Sequence, residues 1–223
     1  MTLGRRLAAE GLGTALLLAT VIGSGIMGER LAGGNTAIAL LANSVATGAV
    51  LYALILIFAP VSGAHFNPAV TLVATFNQKM TWRHASAYAA VQIAGAFAGV
   101  AAAHGMFGEP LFFASQHQRS GAAQWWAEAV ATFGLLAVIL GSRRQPLPAI
   151  AAAVGAYITA AYWFTASTSF ANPAVTLARA ASDTFAGIRP ADVPAFVLAQ
   201  LAGACVAAGC MHWLVPDTLQ NNE

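Results

Sequence analysis

Long apolar runs, broken by short polar clusters, organise this chain. Six of them, near 8–28, 36–58, 82–104, 122–142, 147–167 and 193–215, reach the roughly 20 residues that a helix needs to cross hydrocarbon. The breaks are Gly28-Glu29-Arg30 with Gly33-Gly34-Asn35, Gln78-Lys79-Met80-Thr81, the stretch 108–121, Ser142 to Pro146, and Gly187 to Pro190. Small residues recur inside the runs, among them Gly95, Gly99, Gly203 and Gly209, and predict helices that approach closely. Two further segments, Asn67–Asn77 and Asn172–Asp183, are helical in pattern but short. Twelve helical residues cover about 18 Å, little more than half of a ~30 Å hydrocarbon core. Two such stubs meeting end to end would cross it together. The non-helical backbone leading into them must then be buried in protein or line a watery cavity.

Both stubs open with the same hexapeptide, Asn67-Pro68-Ala69-Val70-Thr71-Leu72 and Asn172-Pro173-Ala174-Val175-Thr176-Leu177, each with a serine (Ser62, Ser167) five residues before its asparagine. Ala9-Glu10 is echoed by Ala127-Glu128, and Gln92-Ile93-Ala94-Gly95-Ala96 by Gln200-Leu201-Ala202-Gly203-Ala204. Three spans per half is an odd number, so the second half must be inverted relative to the first. The expectation is one domain over 1–223, with repeat halves at 1–107 and 122–216.

Composition narrows the class. Charged residues are 8% of the 223, apolar residues 58%, against roughly 25% charged in a soluble domain. The pattern is that of a multi-pass membrane protein bound by lipid. A net charge of +2 does not suggest nucleic acid, and the chain shows no phosphate loop and no metal-ligand or cofactor pattern. Cys205 and Cys210, five apart in one run, face different sides of a helix and cannot pair with each other. The first apolar run, behind Arg5 and Arg6, is too long for a signal-peptide core and reads as the first span. Arg5, Arg6, Lys79, Arg83, Arg143 and Arg144 fall on one side of a six-span layout, and Arg30, Arg119, Arg179 and Arg189 on the other. The richer side is the cytoplasm, which puts both termini there.

Asn caps a helix and Pro suits its first position. The side-chain oxygen of Asn67 or Asn172 would accept backbone N–H groups, leaving the amide NH2 to point elsewhere, for instance into a lumen. Each helix start carries roughly half a positive charge. Two facing starts at mid-membrane hold a neutral hydroxylated solute by its oxygen. They repel a cation, whose idealised transfer to low dielectric already costs on the order of 20 kcal/mol. The residues ahead of each cap, Gly63, Ala64, His65 and Phe66 and then Thr168, Ser169 and Phe170, cannot be helical, so their carbonyls become an acceptor ladder for solutes. His65 reads as a residue that holds a loop rather than a ligand or a titrating group. Glu10 and Glu128 lie inside spans, where a carboxylate needs partners. They read as anchors for the two loops rather than as a proton relay.

These residues resemble the aquaporin, or major intrinsic protein, family. Ser62-Gly63-Ala64-His65-Phe66-Asn67-Pro68-Ala69-Val70-Thr71 is similar to its first signature and Asn172-Pro173-Ala174 to its second. The resemblance covers nearly the whole chain. It implies an all-α membrane fold with six transmembrane helices and two re-entrant half-helices in an inverted repeat. It also implies a pore in each subunit of a homotetramer, and passive passage of water or small uncharged solutes. The family usually carries an arginine directly after the second Asn-Pro-Ala, where this chain has Val175. Counting back from the two asparagines, the partners of that position are Thr47, Ala160 and Ser169, all small. Thr, Ala, Ser and Val together imply a wide, weakly polar opening. That pattern resembles a bacterial branch associated with arsenic resistance, which extends the expected solutes from water and glycerol to neutral arsenite and methylarsenicals. The expected location is then a bacterial inner membrane.

Arg179 stands four residues after Val175, and helix side chains lean toward the N-terminus. It can reach back into the opening and favour water, or face outward and pair with Asp183 at i, i+4. Among other classes, a secondary transporter also uses inverted repeats and broken helices. It would need mid-depth ion ligands, and only Glu10 and Glu128 are available. An enzyme would need a catalytic set, and none is patterned here.

Overall fold

Eight α-helices form in the computed structural model, whose described residues are 1–215. The six long ones are α1 (Leu3–Leu31), α2 (Thr36–Ser62), α4 (Trp82–Phe107), α5 (Ala122–Gly141), α6 (Leu147–Phe164) and α8 (Val193–Leu214). Each is long and apolar enough to cross a membrane, α8 together with the short 3-10 turn Pro190–Asp192 before it. The two short ones, α3 (Pro68–Phe76) and α7 (Pro173–Arg179), are the half-helices. The last residue of the expected second half, 216, lies outside the described residues, as does the rest of the C-terminus.

Helix ends differ from the apolar runs for local reasons. α1 begins at Leu3 because the Thr2 hydroxyl caps the Arg5 N–H, five residues before the apolar run. α2 continues past 58 and through Pro60 until Gly63, whose φ of 94° closes it in the left-handed region that glycine tolerates. α6 stops at Phe164, three residues short of expectation, as Thr165 turns extended while its hydroxyl bonds back to Ala161 O at 2.7 Å. α7 ends at Arg179, not Asp183. Beyond it the N–H groups of Ala180, Ala181 and Ser182 bond the carbonyls three residues back, in a tight turn, and the carbonyls of Ala180 and Ala181 hold that turn against the N–H groups of Ser115 and Phe113 from the 108–121 segment. The half-helices are therefore about 13 and 11 Å long at 1.5 Å per residue.

The inverted repeat shows in the packing. α1 lies along α4 as α5 lies along α8, α2 meets α6, and both half-helices rest on α4 and α8. The close crossings explain two of the repeated glycines. A Cβ on Gly95 would lie 2.2 Å from Gly11 O, and one on Gly203 would lie 2.2 Å from Ala129 O. No real side chain could fit at either point. Gly209 has nothing within 4 Å of such a Cβ among the described residues, so it belongs to no crossing within them, contrary to the sequence expectation. Cys205 and Cys210 are free thiols.

Candidate functional site

The two Asn-Pro-Ala segments meet head to head. Asn67 Oδ1 accepts the Ala69 N–H at 2.8 Å, and Asn172 Oδ1 accepts those of Ala174 and Val175 at 2.9 and 3.3 Å. Proline occupies the first turn of each helix. The amides are not wholly free, as the sequence suggested. Asn67 Nδ2 donates to Ala171 O at 2.7 Å, and Asn172 Nδ2 donates to Phe66 O at 2.8 Å. An amide NH2 carries two protons. One of each pair therefore locks the opposite loop, and the second remains for another acceptor.

The loops ahead of the caps share an unusual backbone. Ala64 and Phe66 have φ of 50° each, and Thr168, Ser169 and Ala171 have φ of 62°, 53° and 48°. With Gly63 at 94°, left-handed residues fall at matching places, three in each loop. Non-glycine residues there cost on the order of 1 kcal/mol or more apiece and persist only where their surroundings fix them. The fixing groups are two fully buried carboxylates. Glu10 accepts from the N–H groups of His65 (2.9 Å) and Phe66 (2.7 Å), from the Ser62 hydroxyl (2.6 Å) and from Gln92 Nε2 (2.9 Å). Glu128 accepts from the N–H groups of Phe170 and Ala171, both at 2.9 Å, and from Gln200 Nε2 at 2.5 Å. Gln92 and Gln200 also donate to Thr71 and Thr176 of the half-helices. The repeated Gln and Glu thus form one bracket in each half.

Strain and bracket together leave carbonyls bare. Those of Gly63, Ala64, His65, Thr168, Ser169 and Phe170 accept no hydrogen bond among the described residues. Phe66 O does not join them, because Asn172 occupies it. A cavity of about 220 Å³ runs past Gly63, Ala64, His65, both asparagines, Ser169 and Phe170, and its opposite wall is aliphatic, with Leu51, Ile55, Leu135, Val154 and Ile158. At one end it touches Asn77 and Lys79, and at the other Thr47, Tyr162, Val175 and Arg179. A polar stripe facing an apolar wall can exchange a solute's hydration for fixed carbonyls without holding it tightly.

At the second end Thr47, Ser169 and Val175 line the cavity and Ala160, which is exposed, does not. The lining face of α6 runs Val154, Ile158, Tyr162, a four-residue helical repeat, and Ala160 stands two residues off it, about 200° around the helix. Tyr162 lines the cavity instead, its hydroxyl 3.2 Å from Thr47 Oγ1. Counting without gaps from Asn172 slipped by two residues, because the turn after α6 is not the length assumed. The signal that could have found Tyr162 is that face periodicity. Ser169 Oγ is buried with no hydrogen-bond partner among the described residues, and Ser169 and Val175 both line the cavity.

Arg179 neither faces outward nor pairs with Asp183. It is 1% exposed, its Nε donates to Ala186 O, and its guanidinium carbon sits 3.4 Å from the centre of the Phe170 ring. Asp183 accepts instead from Gln116 N–H at 2.8 Å. A second guanidinium, which sequence reasoning missed, comes from the 108–121 segment. Arg119 lies 4.9 Å from the same ring and donates to Gly187 O and Ser167 O, at 2.7 and 3.1 Å. The segment is strapped over this end by Arg189 N–H to His117 O and Arg119 N–H to Asp192. His65 holds its loop to α3, with Nδ1 3.0 Å from Thr71 Oγ1, and also lines the cavity. No group of three or more metal-binding side chains occurs among the described residues.

Residues 1–146 and 140–223 match the Major intrinsic protein family. The chain belongs to that family. It is a multi-pass membrane channel, not an enzyme. It is 55% identical over 213 residues, 96% of this chain and 91% of the relative, to "Aquaglyceroporin AqpS" of Rhizobium meliloti (strain 1021). It is 32% identical over 196 residues to "Aquaporin NIP2-3" of Zea mays, covering 83% of this chain and 63% of that one. The fold matches the X-ray structure of the aquaglyceroporin from Plasmodium falciparum with a TM-score of 0.76, at 22% identity and over 98% of both chains.

Proposed function

We propose that this channel passes water, glycerol and neutral metalloid hydroxides such as arsenite, together with methylated arsenicals, without coupling to an ion. The observation that carries the reading is the bare carbonyl ladder beside two half-helix starts, with Val175 where an arginine usually stands. The name of the Rhizobium meliloti relative supports glycerol. Val175 supports the bacterial arsenic-resistance branch, because removing a fixed guanidinium enlarges the opening and lowers its field. The filter set is Thr47, Tyr162, Ser169 and Val175. The pore-lining acceptors in this reading are the carbonyls of Gly63, Ala64, His65, Ser169 and Phe170, which border the cavity, while Thr168 does not border it. Glu10 and Glu128 act as loop anchors rather than ion ligands, since their oxygens are filled by backbone and amide donors. This argues against a secondary transporter. The same reading puts the channel in a bacterial inner membrane with both termini cytoplasmic, as a homotetramer with one conduit per subunit.

One observation favours a second reading. Arg179 lines the cavity near Val175, and its guanidinium could supply the missing charge and favour water. Stopped-flow light scattering on proteoliposomes, comparing water, glycerol, urea and arsenite, separates the two. Flux of glycerol and arsenite well above protein-free vesicles supports the wide filter. Water flux alone supports the guarded one.

A further inference from the structure

A second cavity, of about 520 Å³, opens at the end of the molecule where the N-terminus lies, beside the mouth of the conduit, with which it shares only Lys79. Arg6, Gln78, Lys79, Thr81, Trp82 and His84 line it. It presents two full positive charges and an imidazole, and no carboxylate among the lining residues. The nearest acid along the chain, Glu10, is fully buried with four donors on its oxygens. Neither cation forms an ion pair among the described residues. Arg6 donates its Nε to the Tyr88 hydroxyl at 2.7 Å and leans on that ring, which fixes the guanidinium while leaving its terminal nitrogens without a hydrogen bond among the described residues. Lys79 forms no ion pair there either. The turn that carries it is nonetheless held by backbone bonds from Gln78 N–H to Thr75 O and Lys79 N–H to Ala74 O, with Gln78 at φ 56°. A guanidinium fork fixed against Tyr88 and an ammonium lining the same pocket, neither ion-paired among the described residues, match a phosphate oxygen set.

The level of the pocket is given by its rim. Trp82, 60% exposed at the start of α4, packs edge-on against Phe76, which is 50% exposed, with ring centres 5.7 Å apart. Exposed aromatic pairs at the end of a span sit at the lipid headgroups. Basic pockets between spans at that depth bind anionic headgroups. We propose that this pocket is a binding site for a phosphate-bearing anion, supplied by the headgroup of an anionic phospholipid or by free phosphate. Binding needs no assumption about what the pore conducts.

The test is the apparent melting temperature of the purified full chain in neutral detergent. Phosphatidylglycerol, phosphatidylcholine or inorganic phosphate is titrated in separate arms. Stabilisation by phosphatidylglycerol beyond that by phosphatidylcholine is expected, with at least half of the excess lost in an Arg6→Gln/Lys79→Gln double variant. Because Arg6 also braces Tyr88, a Lys79→Gln/His84→Gln variant, which leaves that contact intact, is measured alongside and should lose part of the excess too. Equal protection by inorganic phosphate, lost in the same variants, assigns the site to free phosphate. No excess in either phosphate arm, or an excess unchanged in both variants, overturns the site.

Discussion

Asn67 and Asn172 each donate a side-chain amide proton to the loop that the other one caps, Asn67 to Ala171 O at 2.7 Å and Asn172 to Phe66 O at 2.8 Å. The two half-helices are therefore joined where they abut, and each asparagine serves its own helix through oxygen and the opposite loop through nitrogen. Replacing Asn172 with Ala removes a cap worth about 1 kcal/mol. It also leaves a buried carbonyl without a donor, at a further ~1–3 kcal/mol. The variant should melt several degrees below wild type in detergent and lose solute flux, whereas Asn172→Asp should keep the cap but still lose the cross-loop bond.

The carboxylates should behave as acceptors rather than as proton carriers. Glu10→Gln and Glu128→Gln replace one acceptor oxygen by an NH2 that faces backbone donors. Each should destabilise the fold by roughly 2–4 kcal/mol and lower the yield of folded protein. Flux through the surviving protein should show no dependence on a pH gradient in wild type or variant. Gradient-driven uptake by wild type that either substitution abolished would assign the carboxylate a transport role instead.

Two glycines of one helix separate packing from propensity. Gly203→Ala drives a Cβ into the Ala129 carbonyl and should cost about 1–3 kcal/mol through displacement of α8 from α5. Gly209→Ala meets nothing and should be neutral or stabilising by up to ~1 kcal/mol. Thermal melts monitored by size-exclusion fluorescence distinguish them.

The residues of the filter make separable predictions. Val175→Arg should suppress glycerol and arsenite flux while sparing water. Under the wide-filter reading Arg179→Ala changes the selectivity between water and glycerol little, and under the guarded reading it raises glycerol flux severalfold. Tyr162→Ala, by opening the wall opposite Ser169, should raise the flux of the largest solute tested. Ala160→Leu, outside the cavity, should not.

What the chain discloses before any coordinates follows from the range of each interaction. The six spans are legible because hydrocarbon demands long apolar runs. The half-helices are legible because Asn-Pro-Ala is a local cap with a local physics. Glu10 and Glu128 could be read as anchors because a carboxylate within a span has few other tolerable roles. Tyr162 was passed over because a count back from Asn172 depends on the length of a turn that no residue type announces, although the spacing Val154, Ile158, Tyr162 marked its face. Arg119 was hidden because the 108–121 segment has no periodicity, and its place is set by bonds to Asp192, Gly187 and Ser167 far along the chain. The early end of α7 was hidden likewise, since the turn that closes it is held by bonds from the distant amides of Ser115 and Phe113 to Ala180 O and Ala181 O.

The most direct test of a conduit between the abutting half-helices is chemical block of Val175→Cys in a Cys205→Ser/Cys210→Ser background, read as glycerol flux in proteoliposomes. A membrane-impermeant mercurial should reduce flux to that of protein-free vesicles, a thiol should restore it, and the background protein should be insensitive. Full flux through a channel shown by mass to carry the mercurial at residue 175 would contradict the account.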